Sequence, residues 1–270
     1  MRKPLYLSLL LLLIGCGDKA KKEQATVTVK PEEKVVETQA IPSSVPDSLL
    51  GYYINTLYVN SLQKTKSTKA SQYVSPLSMV KIFKDRASVK LETAWNFHEG
   101  GADGILTMVA GSSFQVTGTD GNHMFYLSLT KGGGIILKAG TNEYKLAKCP
   151  PESADYEQAG DLTVNSTLFA GDYWLGKKTV SLTKEGKITG IDSLSSFVVA
   201  TDYMDVGMSF DKIYFKVKGK KHLGWGDEYG YEFRGDTLNI YRVVCLDKDN
   251  DPTSCEEDAK GPVAFSLVRK

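Results

Sequence analysis

The sequence predicts an all-β protein built as two small antiparallel up-and-down barrels in tandem, with one short helix after the first strand. Three observations carry this. Aromatics and glycines abound, with 14 Tyr, 10 Phe and 25 Gly against 9 Pro, the make-up of strands joined by tight turns. Apolar and polar residues alternate with period two over 87–97 and again over 212–217, as in strands with one packed and one wet face. Turn signals recur at a spacing of about 8–12 residues, the rhythm of an antiparallel sandwich or barrel. One larger barrel or sandwich is the alternative arrangement.

The chain opens on a leader. Met1-Arg2-Lys3 is basic, and Leu5 to Ile14 is an apolar run too short to span a bilayer, which needs about 20 apolar residues. A charged start, an apolar stretch and a small residue make a secretory signal peptide over 1–15. Leu13-Ile14-Gly15-Cys16 then resembles the lipobox of bacterial lipoproteins, where the Cys is acylated and becomes the new N-terminus. That resemblance implies a membrane anchor through Cys16 carrying three acyl chains, enough for stable attachment. Gly17 lacks the carboxylate that retains some lipoproteins at the inner membrane, so the expected location is the cell envelope, at the outer membrane. Residues 16–46 read as a tether: charged, poor in large apolar residues and broken by Pro31, Pro42 and Pro46.

The first barrel is expected over 47–150. Leu49-Leu50-Gly51-Tyr52-Tyr53-Ile54 is its first strand, and Tyr58, Leu62 and Thr65 fall at helical spacing. Residues 67–75 read as a polar loop. Met79–Phe83 and Ala87–Phe97 follow as strands, with Val89, Leu91, Thr93, Trp95 and Phe97 on one face. Gly100-Gly101, Asp103-Gly104, Asp120-Gly121 and Gly132-Gly133-Gly134 read as turns. Between them lie Ile105–Ala110, Ser113–Gly118, Met124–Thr130, Ile135–Lys138 and Tyr144–Ala147, with no internal helix expected. Cys149-Pro150-Pro151 breaks the pattern.

The second barrel is expected over 160–270. Strands are read at Leu168–Trp174, Val180–Leu182, Lys187–Ile191, Phe197–Ala200, Phe210–Lys218, Tyr229–Phe233, Thr237–Val244 and Val263–Val268. Gly171-Asp172-Tyr173-Trp174, Gly186-Lys187-Ile188 and Gly235-Asp236-Thr237-Leu238-Asn239-Ile240-Tyr241 together resemble the lipocalin-like (calycin) barrels of Bacteroidota lipoproteins. In that family a Gly-x-Trp element plugs the barrel floor; here Tyr173 holds the Trp place. The resemblance implies binding of a small apolar ligand, although fold alone does not establish function. Gly51-Tyr52-Tyr53 opens the first half in a similar way.

With Cys16 given to lipid, Cys149, Cys245 and Cys255 remain, an odd set on the disulfide-permissive side of a membrane. Cys245 and Cys255 flank an acidic loop and are expected to pair; Cys149 with either is the alternative. No Cys/His cluster points to zinc, no nucleophile or phosphate-loop motif appears, and no cofactor is expected. His98 and Glu99 are adjacent on an expected strand and so point to opposite faces. Asp247, Asp249 and Asp251 resemble the start of a calcium loop, but Pro252 stands where an EF-hand needs Gly, so a solvated hairpin loop is the better reading. Trp95 and Trp174 are expected in the core. Trp225, flanked by glycines, and Tyr229 are candidate binding residues. A net charge of +1 gives no field for nucleic acid.

These features describe a non-enzymatic lipoprotein with two open readings. In one, a barrel holds a small hydrophobic ligand. In the other, the barrels are packed and the surface binds an envelope protein or a glycan.

Overall fold

The computed structural model describes residues 45–95, 97, 99–202, 209–221, 224–246 and 258–270. The protein is all-β, with two eight-stranded antiparallel sheets in tandem and a few short helices.

The first sheet closes completely. Strands β1 (Gly51–Asn55), β2 (Leu77–Asp85), β3 (Ser88–Trp95), β4 (Glu99–Ala110), β5 (Ser113–Thr117), β6 (His123–Leu129), β7 (Ile135–Ala139) and β8 (Asn142–Lys148) pair in order. β8 returns to β1, with Tyr53 opposite Lys148 and Ile54 opposite Ala147. Alternation does what the sequence requires: in β5, Phe114 and Val116 are buried between more exposed Ser113, Gln115 and Thr117. Together with Tyr53, Ile82, Leu91 and Leu127 they fill the barrel, as expected for eight strands, whose interior just accommodates side chains.

Three local readings are corrected. Gly100-Gly101 and Asp103-Gly104 are not turns but part of the long strand β4. Gly101 and Gly104 sit where neighbours press close: a Cβ on Gly101 would lie 2.1 Å from the Trp95 indole nitrogen, and one on Gly104 2.6 Å from the Thr117 carbonyl oxygen. The reversal instead falls at Phe97, with φ +65°, so Phe97 leaves the β3 face. Its N–H donates to Ser78 Oγ at 2.9 Å. The expected loop over 67–75 contains a helix, α2 (Thr68–Ser71), capped by Ser67 and followed by a 3-10 turn.

The expected helix after the first strand is present as α1 (Thr56–Thr65). Asn55 caps its start by accepting from the Leu57 N–H, and Lys66 ends it in the left-handed conformation. Tyr58 and Leu62 are its buried face. After the Pro150-Pro151 break comes a helix the sequence reading lacks, α3 (Tyr156–Val164), which runs straight into a single π turn over Asn165–Phe169.

The second sheet comprises β9 (Gly171–Leu175), β10 (Lys178–Leu182), β11 (Ile188–Thr189), β12 (Leu194–Val199), β13 (Lys212–Val217), β14 (Asp227–Arg234), β15 (Thr237–Cys245) and β16 (Asp258–Arg269). β16 pairs back onto β9, so the sheet begins and ends at β11 and β12. Those two meet at a seam: one bridge, Lys187 to Ser196, and a hydrogen bond from Phe197 N–H to the Gly186 carbonyl at 2.7 Å.

The two sheets share a core. Tyr58 and Leu62 of α1, Met79 and Ala94 of the first barrel, and Ala159 and Val164 of α3 cluster with Tyr173, Phe197, Phe215 and Tyr231 of the second sheet. Polar contacts pin this joint. Asp211 Oδ1 accepts from the Lys69 N–H at 2.8 Å and Thr68 Oγ1 at 3.1 Å, and the Tyr231 hydroxyl accepts from the Thr68 N–H. The Asp211 carboxylate and the Tyr231 hydroxyl thus each satisfy one of the N–H groups that the first turn of α2 leaves open.

Both sheets start with one device. Gly51 and Gly171 take φ of +130° and +149°, which favours glycine. Two residues on, Tyr53 and Tyr173 are fully buried. Each hydroxyl donates to the carbonyl four residues earlier, Leu49 at 2.9 Å and Phe169 at 2.7 Å. A cation from the last strand covers each ring: Lys148 Nζ at 5.8 Å over Tyr53 and the Arg269 guanidinium at 5.6 Å over Tyr173.

Candidate functional site

An open groove of about 550 Å³ runs beside α3. Asp155 caps the helix by accepting from the Gln158 N–H at 2.8 Å, and Gln158 Oε1 accepts from the Ala154 N–H. This reciprocal cap fixes where the helix starts. Glu157, Asp161 and Asn165 then follow at four-residue spacing, so they share the face that lines the groove. The opposite wall comes from the β10–β11 turn, with Lys184 and Glu185, and from Phe197 and Val198 of β12. Leu162 completes an apolar floor.

The groove is acidic, with Glu152, Asp155, Glu157, Asp161 and Glu185 against Lys184. Lys184 is already engaged, 2.5 Å from Glu152 and 3.9 Å from Glu185. Its hydrogen bond holds the Glu152 carboxyl below the usual carboxylate range. Asp161 behaves oppositely. Burial first, then the charges of Glu157 and Asp155, push its carboxyl up to about 7. Among the described residues no cation or hydrogen-bond donor faces it at bonding distance. Asn165 is 3% exposed. Its Nδ2 donates to the Lys184 carbonyl at 3.1 Å, while its Oδ1 is buried with no donor. Among the described residues no three acidic, His or Cys side chains are grouped to hold a metal ion.

The residues singled out from sequence are not brought together. Trp225 is exposed and packs edge-on against Tyr214 at 5.2 Å, while the half-buried Tyr229 packs against Phe215 at 5.2 Å. Tyr214 and Phe215 are neighbours on β13 and face opposite sides, so Trp225 sits outside the sheet and Tyr229 at its inner rim. Trp174 is corrected from core to surface: it is exposed beneath Lys270 Nζ at 3.8 Å, and Tyr173 is the residue that points inward. Cys245 is disulfide-bonded and Cys149 is free and buried, so Cys149 takes no part in that bond. Cys16, His98, His222, Asp247, Asp249, Asp251 and Cys255 lie outside the described residues.

Sequence reasoning missed the groove entirely. Its signals were the Asp155-x-x-Gln158 cap and the four-residue spacing of Glu157, Asp161 and Asn165. Compared with known proteins, the chain matches no family model, and no curated protein or solved structure matches it either.

Proposed function

We propose that the chain is an exported, non-enzymatic lipoprotein, anchored in the envelope membrane through acylated Cys16, whose barrels are packed and whose surface binds its partner, an envelope protein or a glycan. One observation carries the choice of a packed interior over an apolar-ligand pocket. Inside the second sheet, Phe169 lies 5.6 Å from Phe197, 5.1 Å from Tyr231 and 5.5 Å from Phe233, ring centre to ring centre. These are ordinary aromatic packing distances, and Tyr58 and Leu62 of α1 belong to the same cluster. The leader and Leu13-Ile14-Gly15-Cys16 support the anchor, and the Gly-x-Tyr start of each sheet is compatible with a lipocalin-like origin.

Native mass spectrometry of residues 41–270, which form one compact unit, tests the packed interior. After incubation with fatty acids and haem the expected spectrum is the bare chain. A discrete bound mass that vanishes on denaturation would return the assignment to an apolar-ligand carrier. Replacing Cys16 with Ala tests the anchor: the variant should be released or stay unprocessed. A cleaved variant that still partitions with membranes refutes lipid attachment at that residue.

A further inference from the structure

The groove beside α3 has a donor–acceptor imbalance that its own residues do not resolve. Its one lysine is committed to Glu152 and Glu185. Asp161 keeps an unpaired carboxyl among the described residues, and Asn165 Oδ1 is a buried acceptor without a donor. An acceptor left unsatisfied forfeits its hydration with nothing in return, and native structures carry few of them without a reason. The acceptors are strung out rather than convergent: Glu157 to Asn165 spans eight residues, about 12 Å of helix. No metal-holding group forms among the described residues. Between the acceptors lies half-buried Val198, with buried Leu162 lining the groove beside it. Asn165 also begins the π turn, an irregularity that recurs at functional sites.

Spaced acceptors, excess negative charge and an apolar floor are complementary to N–H donors on a hydrocarbon chain. We propose that this groove binds a small organic cation bearing ammonium or guanidinium groups on an alkyl chain, with Glu157 and Asp161 as counter-charges, Asn165 as a neutral acceptor and Leu162 and Val198 under the methylenes. The inference is independent of the proposed function above, since it needs neither the anchor nor a particular barrel interior.

Proton competition gives the site a signature. Asp161 is held protonated up to about 7, and the groups around it are Asp155 and Glu157 from its own helix and Glu152, Lys184 and Glu185 opposite. A cation must displace that proton, so affinity rises with pH, by about tenfold between pH 6 and pH 8 for a single coupled group.

The test is isothermal titration calorimetry of the full chain with spermidine at about pH 6 and pH 8 at matched ionic strength. A parallel arm uses an acetylated, amidated Gly-Lys-Gly peptide. Saturable binding that is tighter at the higher pH is expected, lost at least about tenfold in Asp161→Asn together with its pH dependence. Glu157→Gln, at the outer end of the strip, should weaken binding with the fold intact. Saturation by spermidine identifies a free amine as the source of the ammonium group, whereas saturation by the peptide alone overturns the small-cation site in favour of a lysine side chain of a partner. Absence of saturable heat with both probes up to about 10 mM, or Asp161→Asn binding as tightly as the parent, overturns the proposal.

Discussion

Replacing Asp161 with Asn should stabilise the protein, and by an amount that depends on pH. Burial, then the charges of Glu157 and Asp155, push the carboxyl up to about 7 from an ordinary aspartate value of about 4. A carboxyl whose pKa is higher folded than unfolded takes up a proton on folding. Its contribution therefore favours the fold below about pH 4, is lost as pH climbs from there through about 7, and above that is a constant penalty. Three units correspond to about 4 kcal/mol at 1.36 kcal/mol per unit. That is a ceiling, because the open groove lets water and the neighbouring carboxylates relax, and about half of it should survive. For a folded body of this size about 2 kcal/mol is a rise of roughly 4–8 °C in Tm. Asparagine keeps the shape and removes the charge. The assay is thermal unfolding of parent and variant followed by circular dichroism across about pH 4.5 to 8.5. The Tm difference should be smallest at the acid end, where about a quarter of the penalty is already present, and should grow until about pH 7. A constant difference across the range, or a loss of stability at the alkaline end, would refute the claim that burial and the Glu157 and Asp155 charges hold this proton.

The remaining predictions concern the frame. Tyr53→Phe and Tyr173→Phe each strand a buried carbonyl, at Leu49 and Phe169; each should cost about 1–3 kcal/mol in denaturant unfolding, and a cost below about 0.5 kcal/mol at either would show that the hydroxyl does not hold the strand start. Gly186→Ala puts a Cβ 2.4 Å from the Phe197 carbonyl oxygen at φ +74°; a loss of about 3 kcal/mol or more is expected, read by the same unfolding curves. Cys149 is buried and its thiol is pushed up to about 11, chiefly by burial; iodoacetamide should label it only in denaturant, and labelling of the native protein, located by peptide mapping, would contradict its placement.

The strands were legible because their signal is local. Val89, Leu91 and Thr93 announce a half-buried strand whatever surrounds them. What alternation could not decide was phase. With Tyr173 and Trp174 adjacent, one must face in, and the larger aromatic was the natural choice. The pairing of β9 with β10 and β16 turns Tyr173 inward instead, because a one-residue change of phase swaps every side chain between faces. Glycine was ambiguous in the same way. Gly101 and Gly104 read as turns, yet they serve close approach to Trp95 and Thr117 within a strand. Helix α3 escaped notice because Gly160, Thr163, Val164 and Asn165 are weak helix formers and its stability comes from packing Ala159, Leu162 and Val164. The groove was hidden for a further reason. It joins Glu152, the face of α3, the turn at Lys184 and the strand at Val198, separations that no local pattern reports.

The groove's position follows from how the second sheet ends. The first barrel closes through a ladder between β1 and β8, but the second meets itself between a two-residue strand and β12, through one bridge and the Phe197–Gly186 hydrogen bond. Closure there relies on what lies across the seam: α3 and its π turn, with Asn165 donating to the Lys184 carbonyl and Phe169 packed on Phe197. The walls of the groove are the two sides of that seam, Lys184 and Glu185 before it and Phe197 and Val198 after it. Segments with few ladder hydrogen bonds open at lower free energy than the strands around them. A ligand that bridges α3 to both sides must favour the closed seam by the free energy with which it distinguishes closed from open. An acidic groove placed on a continuous ladder would change nothing beyond itself. Placed at the seam, the proposed site would couple occupancy to closure of the second sheet.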